Sequence, residues 1–396
     1  MTERSSPASG PLAGVRVVEL GGIGPGPFCG MILADLGAGV IRVDPPSAAG
    51  AEPDIPQLRR GRRSVALDLK RPAGADVALR LVDRADALIE GFRPGVTERL
   101  GLGPDVCLER NPKLVYGRMT GWGQEGPLAR EPGHDINYIA LAGALGAIGP
   151  TGGDPVVPLN LIGDMGGGGM LLAVGICAAL LHARATGEGQ VVDAAMTDGT
   201  ALQLAGIFGL LARGHWRDRR GTNVLDGAAP FYRTYRCADG GHVAVGALEP
   251  QFYAELLRVL ELANDPLFAH QYDADAWPAM SARLEQLFAT RARDDWADPF
   301  AGQRACVTPV LGLAEAATHP HNVERGTYAV DESGAIHAAP APRFLGTPTA
   351  PPTPAPRVGA HTDAVLKELG FDDAELDTLR ANGVIPGADP SRVAAP

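Results

Sequence analysis

The sequence predicts an α/β chain: a Rossmann-like large domain followed by a small α+β domain. Three observations carry this. Residues 15–20, a glycine-rich turn, a helical stretch and residues 40–43 form one β-α-β unit. Short apolar strands then alternate with helical stretches as far as Met119, the rhythm of a parallel sheet. From Tyr232 the rhythm changes to a hairpin and then helices.

The bulk numbers fit that outline. A chain of 396 residues is long enough for two domains, and 45% hydrophobic with 20% charged residues is an ordinary globular profile. The net charge of −11 argues against non-specific nucleic-acid binding. An anionic ligand would need a local basic pocket. The five cysteines, Cys29, Cys107, Cys177, Cys237 and Cys306, are scattered, odd in number and make no Cys-x-x-Cys. That points to a reducing, cytoplasmic setting without a disulfide or zinc framework. Residues 1–11 are polar and lack the apolar core of a secretory signal. Residues 165–181 are uncharged and apolar, but four consecutive glycines and marginal length favour a buried helix over a membrane span.

In chain order, residues 21–27 are the first glycine-rich turn, residues 28–36 a helix stopped by Gly37, and Asp44 closes the second strand. An acid about 20 residues past the glycines resembles a dinucleotide fingerprint. The glycine spacing fails, because Gly24-x-Gly26 is followed only by Gly30, and prolines 25 and 27 crowd the turn. Nicotinamide binding is therefore disfavoured. Arg59, Arg60, Arg62 and Arg63 precede a strand over 64–67 and read equally well as a solvated surface or as phosphate holders. A helix over 75–84 and a strand over 87–90 lead into Gly91-Phe92-Arg93-Pro94-Gly95. Loops at the carboxyl ends of parallel strands are where open α/β sheets bind ligands. Arg99 follows, then a strand over 114–119.

Gly133-His134-Asp135-Ile136-Asn137-Tyr138 follows Pro132 and enters an apolar run, the pattern of a helix start. An imidazole, a carboxylate and unpaired amides together could abstract a proton and hold the resulting charge. Taken alone, the hexapeptide reads as readily as a capped helix with a core histidine. Asp164 precedes Gly166–Gly169 at a natural cap position, and glycines there, each costing about 1 kcal/mol in a helix, imply a close backbone approach by another helix or by a ligand. Residues 187–194 read as a turn and strand, 197–213 as helical, and 214–230 as a linker. The hairpin spans 232–237 and 242–246, followed by helices over 253–262, 277–290 and 294–301. Residues 339–356 form a Pro-rich tether, and a last helix begins near His361. The domains are thus read as 1–213 completed by 335–396, and 231–325, with linkers 214–230 and 326–358.

The pieces in this order resemble the family III CoA-transferase superfamily, and within it the racemase branch acting on α-methylacyl-CoA thioesters. Carrying the resemblance are residues 14–20 (GVRVVEL), 91–96 (GFRPGV) running into 98–103 (ERLGLG), 119–124 (MTGWGQ), 189–194 (GQVVDA) and Gly359-x-His361-Thr362. It covers nearly the whole chain and implies an interlocked homodimer with its active site between the large domain of one chain and the small domain of the other. It also implies racemisation of 2-methylacyl-CoA thioesters, with no metal or redox cofactor. In the transferases of this superfamily an aspartate matching Asp135 is the nucleophile. In the racemases a histidine stands at His134 and an acid at Asp164, and Glu249 in Ala247-Leu248-Glu249-Pro250 would orient His134 across the dimer interface. The backbone N–H of Asp135 would face the enolate oxygen.

Inversion next to a thioester needs two bases on opposite faces, one protonated and one not. His134 and Asp164 suit those parts if poor solvation raises the aspartate's pKa towards that of histidine. The positions that the resemblance assigns to the substrate are Leu67, Asp68, Leu69 and Lys70; Gly91, Phe92 and Arg93; Arg99; and Gly133, Ile136, Asn137 and Tyr138. Pro45 stands where the racemases carry an arginine, so its phosphate contact is lost or falls to Arg42 or the 59–63 loop. Two rivals remain: a CoA-transferase with Asp135 as nucleophile, and a non-catalytic acyl-CoA binding protein.

Overall fold

The computed structural model describes residues 9–387. The polar N-terminal stretch is outside it up to residue 8, as are the last nine residues of the C-terminal return. The chain separates into two compact units. The first takes in residues through Ala142, then Leu159–Gln203, then His337 onward. The second comprises Gly143–Pro158 and Leu204–Ile336, so it claims 143–158 and 204–213, which the sequence reading puts in the large domain.

The first unit holds a six-stranded sheet of β1 (Arg16–Leu20), β2 (Gly39–Asp44), β3 (Arg62–Ala66), β4 (Ala87–Glu90), β5 (Val115–Thr120) and β6 (Gln190–Ala195), in the order β3-β2-β1-β4-β5-β6. Every pairing is parallel, with Val18 between Ile41 and Leu88. This is the doubly wound order of a Rossmann fold, and strand order reverses between β1 and β4. Apart from the buried Glu19, Glu90 and Arg118, the interiors of the central strands are largely apolar on both faces, as a sheet covered by helices on both sides requires. Val18, Leu20, Leu88 and Tyr116 pack into one core layer, while Val17, Ala87, Ile89 and Val115 pack into the other.

The first helix is Pro25–Asp35, three residues earlier than expected. Pro25 occupies its first turn, where the missing N–H costs nothing, so the prolines start the helix instead of crowding a turn. At the far edge of the sheet the C-terminal return closes on β3. The Ser64 N–H donates to Nδ1 of His361 (3.1 Å), the Ala66 N–H to Oγ1 of Thr362 (3.0 Å), and the His361 N–H to the Ser64 carbonyl (2.8 Å). An edge that could recruit another strand is thereby satisfied. Helices Thr362–Glu368 and Asp373–Ala381 follow, the second unforeseen.

Residues 161–170 depart most from expectation. They form a π-helix, Leu161–Met170, that continues into the α-helix Leu171–Thr186. Asp164 lies in its first turn and is not a cap. The glycines admit neighbouring backbone. A Cβ at Gly167 would lie 2.8 Å from the Thr200 nitrogen, and one at Gly168 2.9 Å from the Met196 side chain. Helix packing, not ligand approach, therefore explains most of the run. By length and composition Leu161–Thr186 could cross a membrane. Its glycine side packs against Pro25 and Phe28 and against helix Met196–Gln203, while Met170, Val174 and Leu181 are exposed.

The second unit is α+β. The hairpin β7 (Tyr232–Arg236) and β8 (His242–Gly246) is antiparallel, and β9 (Val307–Val310) adds a third strand that the sequence reading lacks. Helices Pro250–Val259, Trp277–Phe288 and Arg293–Phe300 share a core with it around Phe231, Tyr235, Leu256 and Phe288. Residues 214–230, read as a linker, are folded within this unit. Asn223 is buried and its amide bonds the carbonyls of Arg217 and Arg219 and the Asp226 carboxylate.

Candidate active site

A cavity of about 580 Å³ opens at the carboxyl ends of β1, β4 and β5, where the strand order reverses. Its walls come from the Gly21–Gly26 turn, the Gly91–Pro94 loop, residues 119–122, residues 131–134 with Asn137 and Tyr138, Asp164, and Met196. Open α/β sheets bind ligands at this position.

His134 and Asp164 therefore line one cavity, although thirty residues separate them. His134 is exposed and stands immediately before helix Asp135–Leu141, in extended backbone. Its N–H donates to Oδ1 of Asn137 at 3.0 Å, which fixes the entry to the helix. Asp164 is half-buried, and the Asn160 amide donates to its Oδ2 at 3.0 Å. Burial lifts its carboxyl above the usual aspartate range; Asn160 pulls it back, the Asp135 charge pushes it up, and His134 opposes that. The expectation of a poorly solvated aspartate thus has its direction right.

Asp135 does not line the cavity. It is 6% exposed, and its Oδ2 accepts the N–H groups of Gly163 and Asp164, each at 2.7 Å. At the first position of its helix, its own N–H has no intrahelical acceptor. Tyr138 is buried; its hydroxyl donates to the Gly133 carbonyl at 2.5 Å and its ring meets Trp122 edge-on at 4.7 Å. A Cβ at Gly133 would sit 2.7 Å from the Tyr138 ring, so the glycine makes room for the tyrosine. Burial raises the Tyr138 hydroxyl pKa, with Asp164 adding and Arg93 opposing.

The remaining expected positions divide. Gly91, Phe92, Arg93, Gly133 and Asn137 line the cavity, while Ile136 does not. Arg93 is exposed, and among the described residues it has no ion pair. Arg99 ends the short helix Val96–Arg99, behind the same loop. Leu67 is a core side chain and Asp68, Leu69 and Lys70 follow β3, away from the cavity wall. Glu249 belongs to the second unit, where it is exposed and precedes helix Pro250–Val259.

Arg42 requires a correction. It is 3% exposed, and its N–H groups all go to Glu19, Asp44 and the carbonyls of Gly21 and Gly22. It has no donor left for a phosphate. Most of the 59–63 loop is also committed. Arg60 pairs with Asp35 at 2.5 Å, Arg62 with Glu19 at 2.7 Å, and Arg63 with Glu368 at 2.7 Å. Arg59 reaches Asp44 only at 3.5 Å. The loop is an ion-paired brace, neither a free phosphate cradle nor a solvated surface.

Several further residues around the cavity bear on the site without being apparent from the sequence. Glu90 is 1% exposed, accepts the Phe92 N–H at 2.8 Å, and pairs with Arg118 at 2.8 Å, so it shapes the loop that presents Arg93. Asn160 holds Asp164, and Trp122 and Met196 line the wall. Glu19, Glu90 and Arg118 carried a usable signal: a charge inside an apolar strand is expensive to bury unless it is paired. Asn160 carried none.

Comparison with known proteins gives the family. Residues 12–362 match CoA-transferase family III. The chain belongs to that family. It is 47% identical over 375 residues to the α-methylacyl-CoA racemase of Homo sapiens, covering 94% of this chain and 97% of that one. It is 32% identical to the succinyl-CoA–D-citramalate CoA-transferase of Chloroflexus aurantiacus, over 95% and 98% of the two chains. Among solved structures, a CaiB/BaiF family protein from Brucella suis superposes with a TM-score of 0.78 at 27% identity, covering 91% of this chain and all of that one.

Proposed function

We propose that the protein is an isomerase, a racemase of 2-methylacyl-CoA thioesters. One observation carries the reading: His134 and the raised-pKa Asp164 line the same cavity of the family III fold. The 47% identity to a racemase supports it over the transferase alternative. One of the two bases takes the proton from C2, and the electron pair moves onto the thioester oxygen. The other base, protonated beforehand, returns a proton to the opposite face. Which residue acts as acid depends on the enantiomer bound. The Asp135 N–H, unpaired at the helix start directly after the cavity-lining His134, is proposed as the donor to the enolate oxygen, while the Asp135 carboxylate stays in the wall.

The same reading has the chain act as a homodimer in which Glu249 of one copy orients His134 of the other. Two features support it. Glu249 is exposed and, among the described residues, its side chain has no hydrogen bond or ion pair. Met170, Val174 and Leu181 leave an apolar stripe of 51%, 61% and 71% exposure on one helix. Arg93 and Arg99 are proposed to meet the CoA phosphates. The chemistry calls for nothing beyond the CoA already in the substrate.

The test is a single enantiomer of a 2-methylacyl-CoA in deuterated water, followed by mass and by chiral analysis. Uptake of one deuteron per molecule, with loss of optical purity, is the expected result. Transfer of CoA to an added carboxylate without 2-proton exchange would establish the transferase instead. Binding at high enzyme concentration with no exchange would leave an acyl-CoA binding protein.

A further inference from the structure

We propose that the side chain of Asp135 is a positioning residue that ties the segment carrying His134 to the π-helix carrying Asp164 and so sets the gap between the two bases. The inference rests on the racemase reading and deepens it. Asp135 follows His134 directly, so its carboxylate is anchored to the same stretch of backbone. That carboxylate accepts the N–H of Asp164 itself and of Gly163, each at 2.7 Å and across 29 and 28 residues of chain. Charge-assisted bonds to buried backbone donors are short and directional, and two on one oxygen leave little play. Gly163 is required for the approach, since a Cβ there would lie 2.6 Å from Oδ2.

The same geometry argues against Asp135 as a nucleophile. The residue is 6% exposed and outside the cavity wall. Its Oδ1 is buried and has no hydrogen-bond partner among the described residues. To attack a thioester the carboxylate would have to turn out of the wall and leave two N–H groups without acceptors. A tether needs only an acceptor oxygen at Oδ2, which asparagine also supplies. A nucleophile needs the carboxylate.

The experiment compares wild type, Asp135→Asn and Asp135→Ala as full chains. It measures 2-proton exchange from both enantiomers across pH, and backbone amide hydrogen exchange over residues 159–170 without substrate. Asp135→Asn is expected to keep most of kcat. For the enantiomer that Asp164 deprotonates, the acidic pH limb should move to lower pH, and for the other enantiomer the alkaline limb should do so, because a negative neighbour of Asp164 is gone while Asn160, His134 and Tyr138 remain around it. Asp135→Ala is expected to lose kcat on the order of 10²-fold with KM little changed, as misplaced bases do, and to expose the Gly163 and Asp164 amides. An asparagine variant with no activity at all, or a covalent adduct on Asp135 found by mass spectrometry, overturns the proposal. So does an alanine variant with wild-type kcat and protection. If alanine prevents folding, the asparagine variant still separates tether from nucleophile. Should wild type fail to exchange the 2-proton, the racemase reading falls, and the amide protection, which needs no turnover, still decides the tether.

Discussion

Two charged clusters belong to the same sheet and its loops and have opposite characters. Within β1 and β2 and at the start of β3, Glu19, Arg42, Asp44 and Arg62 are all at most 6% exposed and each has a partner. Beyond β1 and β4, His134 and Arg93 are exposed and Asp164 is lifted from its ordinary pKa. The first cluster occupies the ground where a dinucleotide fold would meet phosphate, and fills it with the protein's own ion pairs. The second leaves its charges incompletely matched around 580 Å³ of space. Satisfaction, more than charge, separates the structural cluster from the one proposed to react.

The largest effect expected from this contrast is at His134. A His134→Gln variant should lose 2-proton exchange by about 10²–10⁴-fold, the usual contribution of a general acid or base. Its melting temperature should stay close to wild type, because the side chain is exposed. Exchange assays and calorimetry on the same preparation check both halves. A variant that melts early and loses activity only in proportion would place His134 with the structural cluster.

The converse is expected at Glu19. It is 1% exposed and pairs with both Arg42 and Arg62. Removing one member of a buried pair strands its partners, at about 3–5 kcal/mol. Glu19→Ala should therefore unfold at markedly lower denaturant, while the fraction still folded keeps its kcat. A selective loss of kcat without loss of stability would break the distinction.

Much of this contrast was legible in the sequence, but unevenly. The strand runs and the β4 loop placed the cavity, since apolar runs and carboxyl-end loops are local features with one structural meaning. His134 and Asp164 were legible as a pair through the resemblance, not through spacing. The partners of arginines 59–63 and Arg42 are not legible, because a guanidinium looks the same in sequence whether its partner is solvent, phosphate or Glu19. Only the fold brings Glu19, 43 residues from Arg62, into contact with it. The π-helix was illegible for a similar reason. Gly166–Gly169 signal close approach but not which neighbour approaches, and the neighbours are Pro25 and Phe28 far upstream and Met196–Gln203 about 30 residues on.

That packing gives the third prediction. A Cβ on Gly199 would collide with the Gly167 backbone, which neither helix can yield cheaply. Gly199→Ala should cost about 1–3 kcal/mol by overpacking. It should also lower kcat by moving the helix that bears Asp164, which urea melts and exchange rates together would register. Stability loss alone would confine the glycines to a structural role.

The smallest effect concerns the pH dependence of stability. A carboxyl whose pKa is raised on folding holds its proton more firmly in the native state than in the unfolded chain. The native state then binds more protons between the ordinary aspartate pKa and the raised one, so stability falls as pH rises through that window. Below the window both states are protonated and Asp164 costs nothing. Above it, the ionised half-buried carboxylate is a standing penalty, only partly offset by the Asn160 amide. Asp164→Asn removes the titration while keeping an acceptor for that amide. Its melting temperature should therefore match wild type at low pH and exceed it at neutral pH, although its exchange activity is lost. A stability difference that is flat across pH would mean that Asp164 is as well satisfied as Asp44, and that the two clusters differ in exposure but not in how well their charges are matched.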